Sequence, residues 1–288
     1  MNPLKATEAR ELIKQLNRMD LDQADYCHIK EVVNRLFVGI EVRGITPHRE
    51  SRLYRGVVYC EKPLDVTQIG PPPSSTVVDF QRCNPPNKPM FYCSPDPASV
   101  FYELNVKAGD RLYLTKWSVL QDFVILQIAP KAEGIARDHL GDMVATFFET
   151  KFAQPIHATY SSQYKITSAI AERLSQGNVV GRDDLTMGAL SYPSVSHPAR
   201  SENIAIQPVI VDSCLRLDYA EEMEIKEVRG KKIDYSRTDF CSHFPNGKIE
   251  WEGQILHWTV PPSSRITLTV EADGWIARDE TGQIVNPG

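Results

Sequence analysis

The chain has 288 residues, 42% of them apolar, and carries 32 Lys and Arg against 37 Asp and Glu for a net charge of −5 at neutral pH. That composition suits a globular protein with one large core or two modest ones, and excludes a fibrous or disordered chain. No apolar run is long enough to span a membrane, and an acidic balance without a basic block argues against a mainly electrostatic nucleic-acid binder. The N-terminal stretch MNPLKATEARELIKQLNRMD mixes charged and apolar residues and lacks the apolar centre of a signal peptide, so the chain is expected to begin as the mature protein. From Leu4 to about Ile40 the apolar residues fall at helical spacing, first Ala9, Leu12, Ile13 and Leu16, then Ile29, Val32, Val33, Leu36 and Phe37, which predicts a helical hairpin.

From about Glu50 the period shortens to strand-like runs, LYRGVVY, TVVDF, MFYCS, RLYLTKW and FVILQIA, separated by Pro and Gly clusters. Asp96 followed by Pro97 predicts a helix start, with an acceptor at the N-cap and a pre-set φ at the first turn. Two longer helices are expected, from roughly Asp138 to Phe152 and from Ser162 to a Gly177 cap. Beyond Asp218 the runs GKIEWEGQILHWTV and RITLTVEADGWIARD read as strands, while the charged run EEMEIKEV reads as a solvated face. The expected units are residues 1–47, a helical hairpin; 48–217, a central domain; and 218–288, a β-rich extension. Helices and antiparallel strands without a βαβ alternation give an α+β fold class, a split, mostly antiparallel sheet with helices at its sides.

The six cysteines, Cys27, Cys60, Cys83, Cys93, Cys214 and Cys241, show no C-x-x-C spacing, so neither a disulfide framework nor a zinc site is indicated and a reducing cytoplasmic location is expected. G-x-S-x-G, G-x-x-x-x-G-K-[ST] and H-E-x-x-H are all absent, which removes the usual support for hydrolases of that design, P-loop enzymes and zincins. GNVVG, from Gly177 to Gly181, lacks the lysine of a phosphate loop. His197 lies too close to Ser194 and Ser196 in a proline-containing loop to form a dyad. Glu103, two turns into the predicted helix among Val100, Phe101, Tyr102 and Leu104, has three explanations: an exposed edge, an arginine pair, or a carboxylate held for use. Arg55 and Arg82 pose the same choice between an ion pair and a ligand, and Asn84, between Arg82 and two prolines, reads as a turn former.

The order of several segments narrows that choice. LYRG at Leu53 to Gly56, RCNPPNKPMFYCS at Arg82 to Ser94, Glu103 in a helix, YKITSAIAERL at Tyr164 to Leu174, LSYPSV at Leu190 to Val195 and ENIAI at Glu202 to Ile206 together resemble the RES domain, over roughly Glu50 to Leu217. The resemblance implies a fold like that of ADP-ribosyltransferase toxins and an NAD-consuming activity, NAD glycohydrolase or ADP-ribosyl transfer, in a toxin of a bacterial toxin–antitoxin pair. NAD is then the substrate and no metal takes part. The resemblance makes Arg55 the family arginine, Glu103 the glutamate and Ser194 the serine, with Arg82 and Tyr92 matching further site positions and Tyr54 standing where the family favours an aromatic. Two departures stand out: Gln81 replaces a glycine before the second arginine, and the segment from Leu114 to Tyr160 is long for a compact toxin.

The chemistry of these residue types fits the implied substrate. Arginines hold a pyrophosphate through bidentate charge-assisted bonds. Nicotinamide departs as a neutral base, so the group in demand is a carboxylate beside the positive charge that develops on the ribose, the role of Glu103. Tyr92 or Tyr54 can stack on the nicotinamide ring, and the Ser194 hydroxyl can orient the amide or ribose without acting as a nucleophile. Two alternatives belong beside this reading: a RES-like protein that binds a nucleotide or partner without turnover, and a secreted interbacterial effector with the same NAD chemistry. The expected macromolecular partners are a cognate antitoxin, a protein target of ADP-ribosylation and, through the hairpin, a second copy in a homo-oligomer.

Overall fold

The computed structural model describes residues 4–40, 42, 44–128, 139–175, 187–196, 201–253, 265–271 and 274–285. In chain order the elements are helices α1 (Ala6–Arg18) and α2 (Tyr26–Leu36), strands β1 (Gly44–Ile45), β2 (Arg52–Val58) and β3 (Phe91–Cys93), helix α3 (Pro97–Glu103), and strands β4 (Arg111–Val119) and β5 (Val124–Gln127). Helices α4 (His139–Phe152) and α5 (Lys165–Leu174) follow, then β6 (Met187–Pro193), β7 (Glu202–Ile206) and α6 (Pro208–Cys214). The chain closes with β8 (Leu215–Arg229), β9 (Lys232–Cys241), β10 (Arg265–Glu271), β11 (Gly274–Arg278) and β12 (Ile284–Val285). The fold class is α+β. One sheet has five strands in the order β1-β5-β6-β7-β3, with only β5 and β6 parallel, and the other has seven, β12-β11-β10-β9-β8-β4-β2, all antiparallel.

The helical hairpin forms as its spacing dictates. Ala9, Leu12 and Leu16 of α1 and Ile29, Val32, Val33 and Leu36 of α2 are buried, and they share a core with α4, α5 and one face of the five-stranded sheet, including Val124, Leu126, Leu190 and Ala205. The opposite face of that sheet, through Phe91, Ile125, Ala189 and Ile206, packs on Leu53, Trp117 and Leu215 beside the seven-stranded sheet. Glu172 of α5 fastens the hairpin to the loop before β3: it accepts a 2.9 Å hydrogen bond from the Tyr26 hydroxyl and pairs with Lys88. Its burial pushes the carboxyl pKa up, but these bonds and the charges of Lys88 and Lys30 outweigh burial and leave it lowered.

Three expectations are corrected. TVVDF forms no strand; a 3-10 turn at Ser74–Thr76, following three prolines, is succeeded by irregular chain. EEMEIKEV is a solvated face only in part: it lies in β8, whose two edges pair with β4 and β9, and Glu221 and Glu222 are buried while Lys226 and Val228 are exposed. Glu222 is satisfied there by the Tyr113 hydroxyl at 3.1 Å, Thr238 Oγ1 at 2.9 Å and Lys62 Nζ at 3.0 Å. Of GKIEWEGQILHWTV, Ile249 to Gly253 are irregular, held by 3.0 Å backbone bonds from Ile249 to Leu64 and from Glu252 to Phe240, and the remainder lies outside the described residues. The boundary expected at residue 218 falls inside β8, which pairs with β4, so the C-terminal strands continue a sheet begun by β2 and β4. Gly177 to Gly181 and His197 lie outside the described residues. Among those described, no helix is long and apolar enough to cross a membrane.

Candidate active site

Strand β2 is an edge of the seven-stranded sheet and β3 an edge of the five-stranded one. The two edges meet where Tyr54 and Ser94 exchange backbone hydrogen bonds of 2.7 and 2.9 Å. Beside that junction lies a cavity of about 650 Å³, a size typical of small-molecule sites. Its walls include Arg55, Gln81, Arg82, Tyr92, Glu103 and Asn203.

Arg55 projects from β2 into this gap. Its Nη1 donates to the Tyr92 carbonyl at 3.1 Å, and its guanidinium lies over the Phe91 ring, 5.1 Å from the centroid. The buried Nε has no hydrogen-bond partner, and no carboxylate pairs with the group among the described residues. Burial lowers its pKa, yet an arginine remains charged, so the group is a buried cation with an unpartnered Nε on the wall of the cavity.

Helix α3 brings Glu103 to the same cavity. Asp96 caps it by accepting from the Ala98 amide at 3.0 Å, and Gly56 lets it lie close against β2. A Cβ at Gly56 would collide with Val100 and stand 2.9 Å from both Leu104 and Leu112. Glu103 is the last residue of the helix; its Oε1 accepts the hydroxyl of Ser194, the residue after β6. Ser194 is buried, and its amide donates to the Ser201 carbonyl at 2.8 Å. The Ser99 hydroxyl meets Ser201 Oγ at 2.5 Å, and Ser94 Oγ donates to the Glu202 carbonyl at 2.8 Å, a polar seam joining α3 to the start of β7.

Arg82 stands on the far wall, in a tight turn closed by Gln81 and Asn84, whose amides and carbonyls bond reciprocally at 2.8 and 3.3 Å. It donates to the carbonyls of Phe152 and Gln154, at the carboxyl end of α4, and lies over the Tyr164 ring at 5.2 Å. Asn84 does form the turn, and its side chain also holds the site together: the Tyr92 hydroxyl donates to Asn84 Oδ1 at 2.5 Å and accepts from the Cys83 amide at 3.0 Å. Burial raises the Tyr92 pKa well above the ordinary phenol value, so the hydroxyl is neutral and the ring lines the cavity.

Four expected site residues, Arg55, Arg82, Tyr92 and Glu103, therefore line one cavity. Ser194 stands behind the wall, where its contact is with Glu103. Tyr54 is not on the wall: alternation along β2 turns its ring to the opposite face, into the core with Ala98, Phe101 and Leu114. Tyr59, Tyr164, Tyr192 and Asn203 also line the cavity and were not singled out. Tyr164, Tyr192 and Asn203 fall within YKITSAIAERL, LSYPSV and ENIAI, whereas Tyr59 carries no local signal that separates it from core aromatics. Among the described residues no group of three or more His, Cys, Asp or Glu side chains is placed to hold a metal ion.

The molecule is thus an α+β protein with a cleft at the junction of two sheets, its walls bearing Arg55, Arg82 and the serine-held carboxylate of Glu103. The RES domain family model matches residues 52–223, more than half of the chain, and the protein belongs to that family, which is associated with NAD-acting toxins. No curated protein matches the sequence.

Proposed function

We propose that the cleft binds NAD and cleaves its nicotinamide–ribose bond, passing ADP-ribose to water, phosphate or a protein, so that the chain acts as a hydrolase or transferase in the manner of ADP-ribosyltransferase toxins. The observation that carries this reading is the shared cavity of Arg55, with its unpartnered Nε, and Glu103, with one oxygen held by Ser194. Arg55 takes a pyrophosphate oxygen in a charge-assisted bond. Arg82 adds positive potential while its donors remain on the carbonyls at the end of α4.

In the reaction the bond between ribose C1′ and the nicotinamide nitrogen breaks and the electron pair leaves with nicotinamide, which departs neutral. Positive charge develops on the ribose ring, and the Glu103 carboxylate stabilises it from a fixed position. The acceptor oxygen then bonds to C1′ and gives its proton to solvent. Tyr92, its hydroxyl already committed, offers its ring face to the nicotinamide. Residues 48–217, completed by β8, form the catalytic unit, and a cognate antitoxin restrains it in the cell.

Incubation of the purified chain with NAD in buffer, with phosphate, and with a protein acceptor, followed by chromatography of free nicotinamide, tests the proposal. Nicotinamide release that Glu103→Gln abolishes is the expected result. Folded protein that leaves NAD intact under all three conditions overturns the enzyme reading and leaves a nucleotide-binding module.

A further inference from the structure

On the face of the molecule formed by α1 and α4 lies a groove of about 380 Å³. One stripe of each helix builds it: Arg10, Ile13 and Lys14 from α1, and Met143, Phe147 and Lys151 from α4, at spacings of three, four and eight residues that place them on common helical faces. Ile13 and Met143, both partly exposed, and the buried Phe147 make its apolar floor.

The charge at the rim has one sign. No Asp or Glu is among the described lining residues, although the whole chain carries −5. Arg10 and Lys151 form no ion pair among the described residues, and Lys14 pairs only with Glu11 on its own helix, a solvent-exposed contact that a second carboxylate can replace. Lys151 is half-buried, its ammonium 5.8 Å from the Phe147 ring centroid, and burial lowers its pKa. A half-buried cation without an anion beside an apolar floor is a site that an incoming carboxylate stabilises.

We propose that this groove docks an acidic amphipathic helix of a protein partner, whose apolar side chains cover Ile13, Met143 and Phe147 and whose carboxylates meet Arg10, Lys14 and Lys151. A helix is the fitting shape because two neighbouring helices present parallel rows of side chains into which a third can set its ridge. A nucleic acid fits less well: it needs cations tracking a phosphate backbone and exposed aromatic faces for bases, whereas Phe147 is buried. The groove is separate from the cavity of Arg55 and Glu103, and the inference does not depend on NAD chemistry.

The test uses the full chain and a fluorescein-labelled helical peptide with leucines along one face and glutamates along the other, followed by anisotropy at low and high salt. Binding that weakens with salt, falls at least about tenfold for a scrambled peptide of the same composition, and falls at least about tenfold in the Arg10→Glu, Lys151→Glu double variant is expected. Circular dichroism and thermal unfolding report whether that variant is folded, and Arg10→Gln, Lys151→Gln replaces it if it is not. Equal binding of the scrambled peptide, or affinity unchanged by the substitutions, overturns the proposal. So does tighter binding of a labelled oligonucleotide that the same variant loses, or a dimer seen by light scattering that the same variant converts to monomer.

Discussion

The Ser194 hydroxyl donates to Oε1 of Glu103 across 91 positions of the chain, joining the end of β6 to the end of α3. The carboxylate thus stands exposed on the cavity wall with one oxygen held by the serine. A group fixed before the substrate arrives needs no reorganisation as charge develops.

In the proposed reaction, Glu103→Gln is expected to lower kcat for nicotinamide release by about a hundredfold or more with little change in KM, as for other groups that act on transition-state charge. Ser194→Ala, which frees the carboxylate without removing it, should cost about tenfold and should add little in the Glu103→Gln background. Steady-state kinetics of the two single variants and the double variant decide this. Independent, additive effects would mean that the serine acts on the substrate and not through Glu103.

Arg55 calls for a binding readout. Its Nε has no hydrogen-bond partner, and a charge-assisted bond contributes roughly 1.5–3 kcal/mol, so Arg55→Ala should weaken ADP-ribose binding by about ten- to a hundredfold in calorimetry. Arg55→Lys should recover only part of this, since a point charge cannot reproduce the fork. Equal affinity of all three proteins would remove Arg55 from the ligand site.

Gly56 is required by close approach: a Cβ there would stand 2.9 Å from Leu104 and Leu112. Gly56→Ala should destabilise by about 1–3 kcal/mol through overpacking, and it should shift α3 and with it Glu103. Chemical denaturation together with nicotinamide release separates the two effects, and a variant as stable and as active as wild type would show that α3 has slack.

Glu221 sets a pH dependence. Burial pushes its pKa up to about 8, against the opposing pull of Arg237 and Lys116. Between the ordinary carboxylate value and about 8 the folded chain holds a proton that the unfolded chain has released, so stability is greatest at low pH in this window and declines as pH rises toward 8. At about 1.4 kcal/mol per unit the total is a few kcal/mol. Urea titrations from mildly acidic to mildly alkaline pH should show the decline in wild type and a flatter profile in Glu221→Gln. A wild-type profile that rises with pH would contradict it.

The local code was legible where one segment carries its own reason. Helical spacing in α1 and α2, the Asp96–Pro97 start of α3 and the short apolar runs of β2 and β4 are all properties of short windows, whereas Arg55, Arg82, Tyr92 and Glu103 were picked out by the order of segments that resemble a family over a longer stretch. By contrast, the β8–β9 pair was hidden by its charges: Glu222 is tolerated in the interior only because Lys62, Tyr113 and Thr238, from distant parts of the chain, supply its hydrogen bonds.

Composition and periodicity by themselves determined an acidic globular α+β chain with an N-terminal helical hairpin, and the resemblance of its ordered segments to the RES domain singled out Arg55, Arg82, Tyr92, Glu103 and Ser194. Only the tertiary structure decided that two sheet edges meet at Tyr54 and Ser94, that Tyr54 turns into the core while Arg55 faces the cavity, and that Ser194 serves Glu103. The physical reason is range. Helix spacing and caps are set by neighbours within a turn or two, whereas burial of a carboxylate, the facing of an edge strand and the meeting of two hydroxyl-bearing loops depend on partners far away in sequence, whose positions follow from packing the whole core.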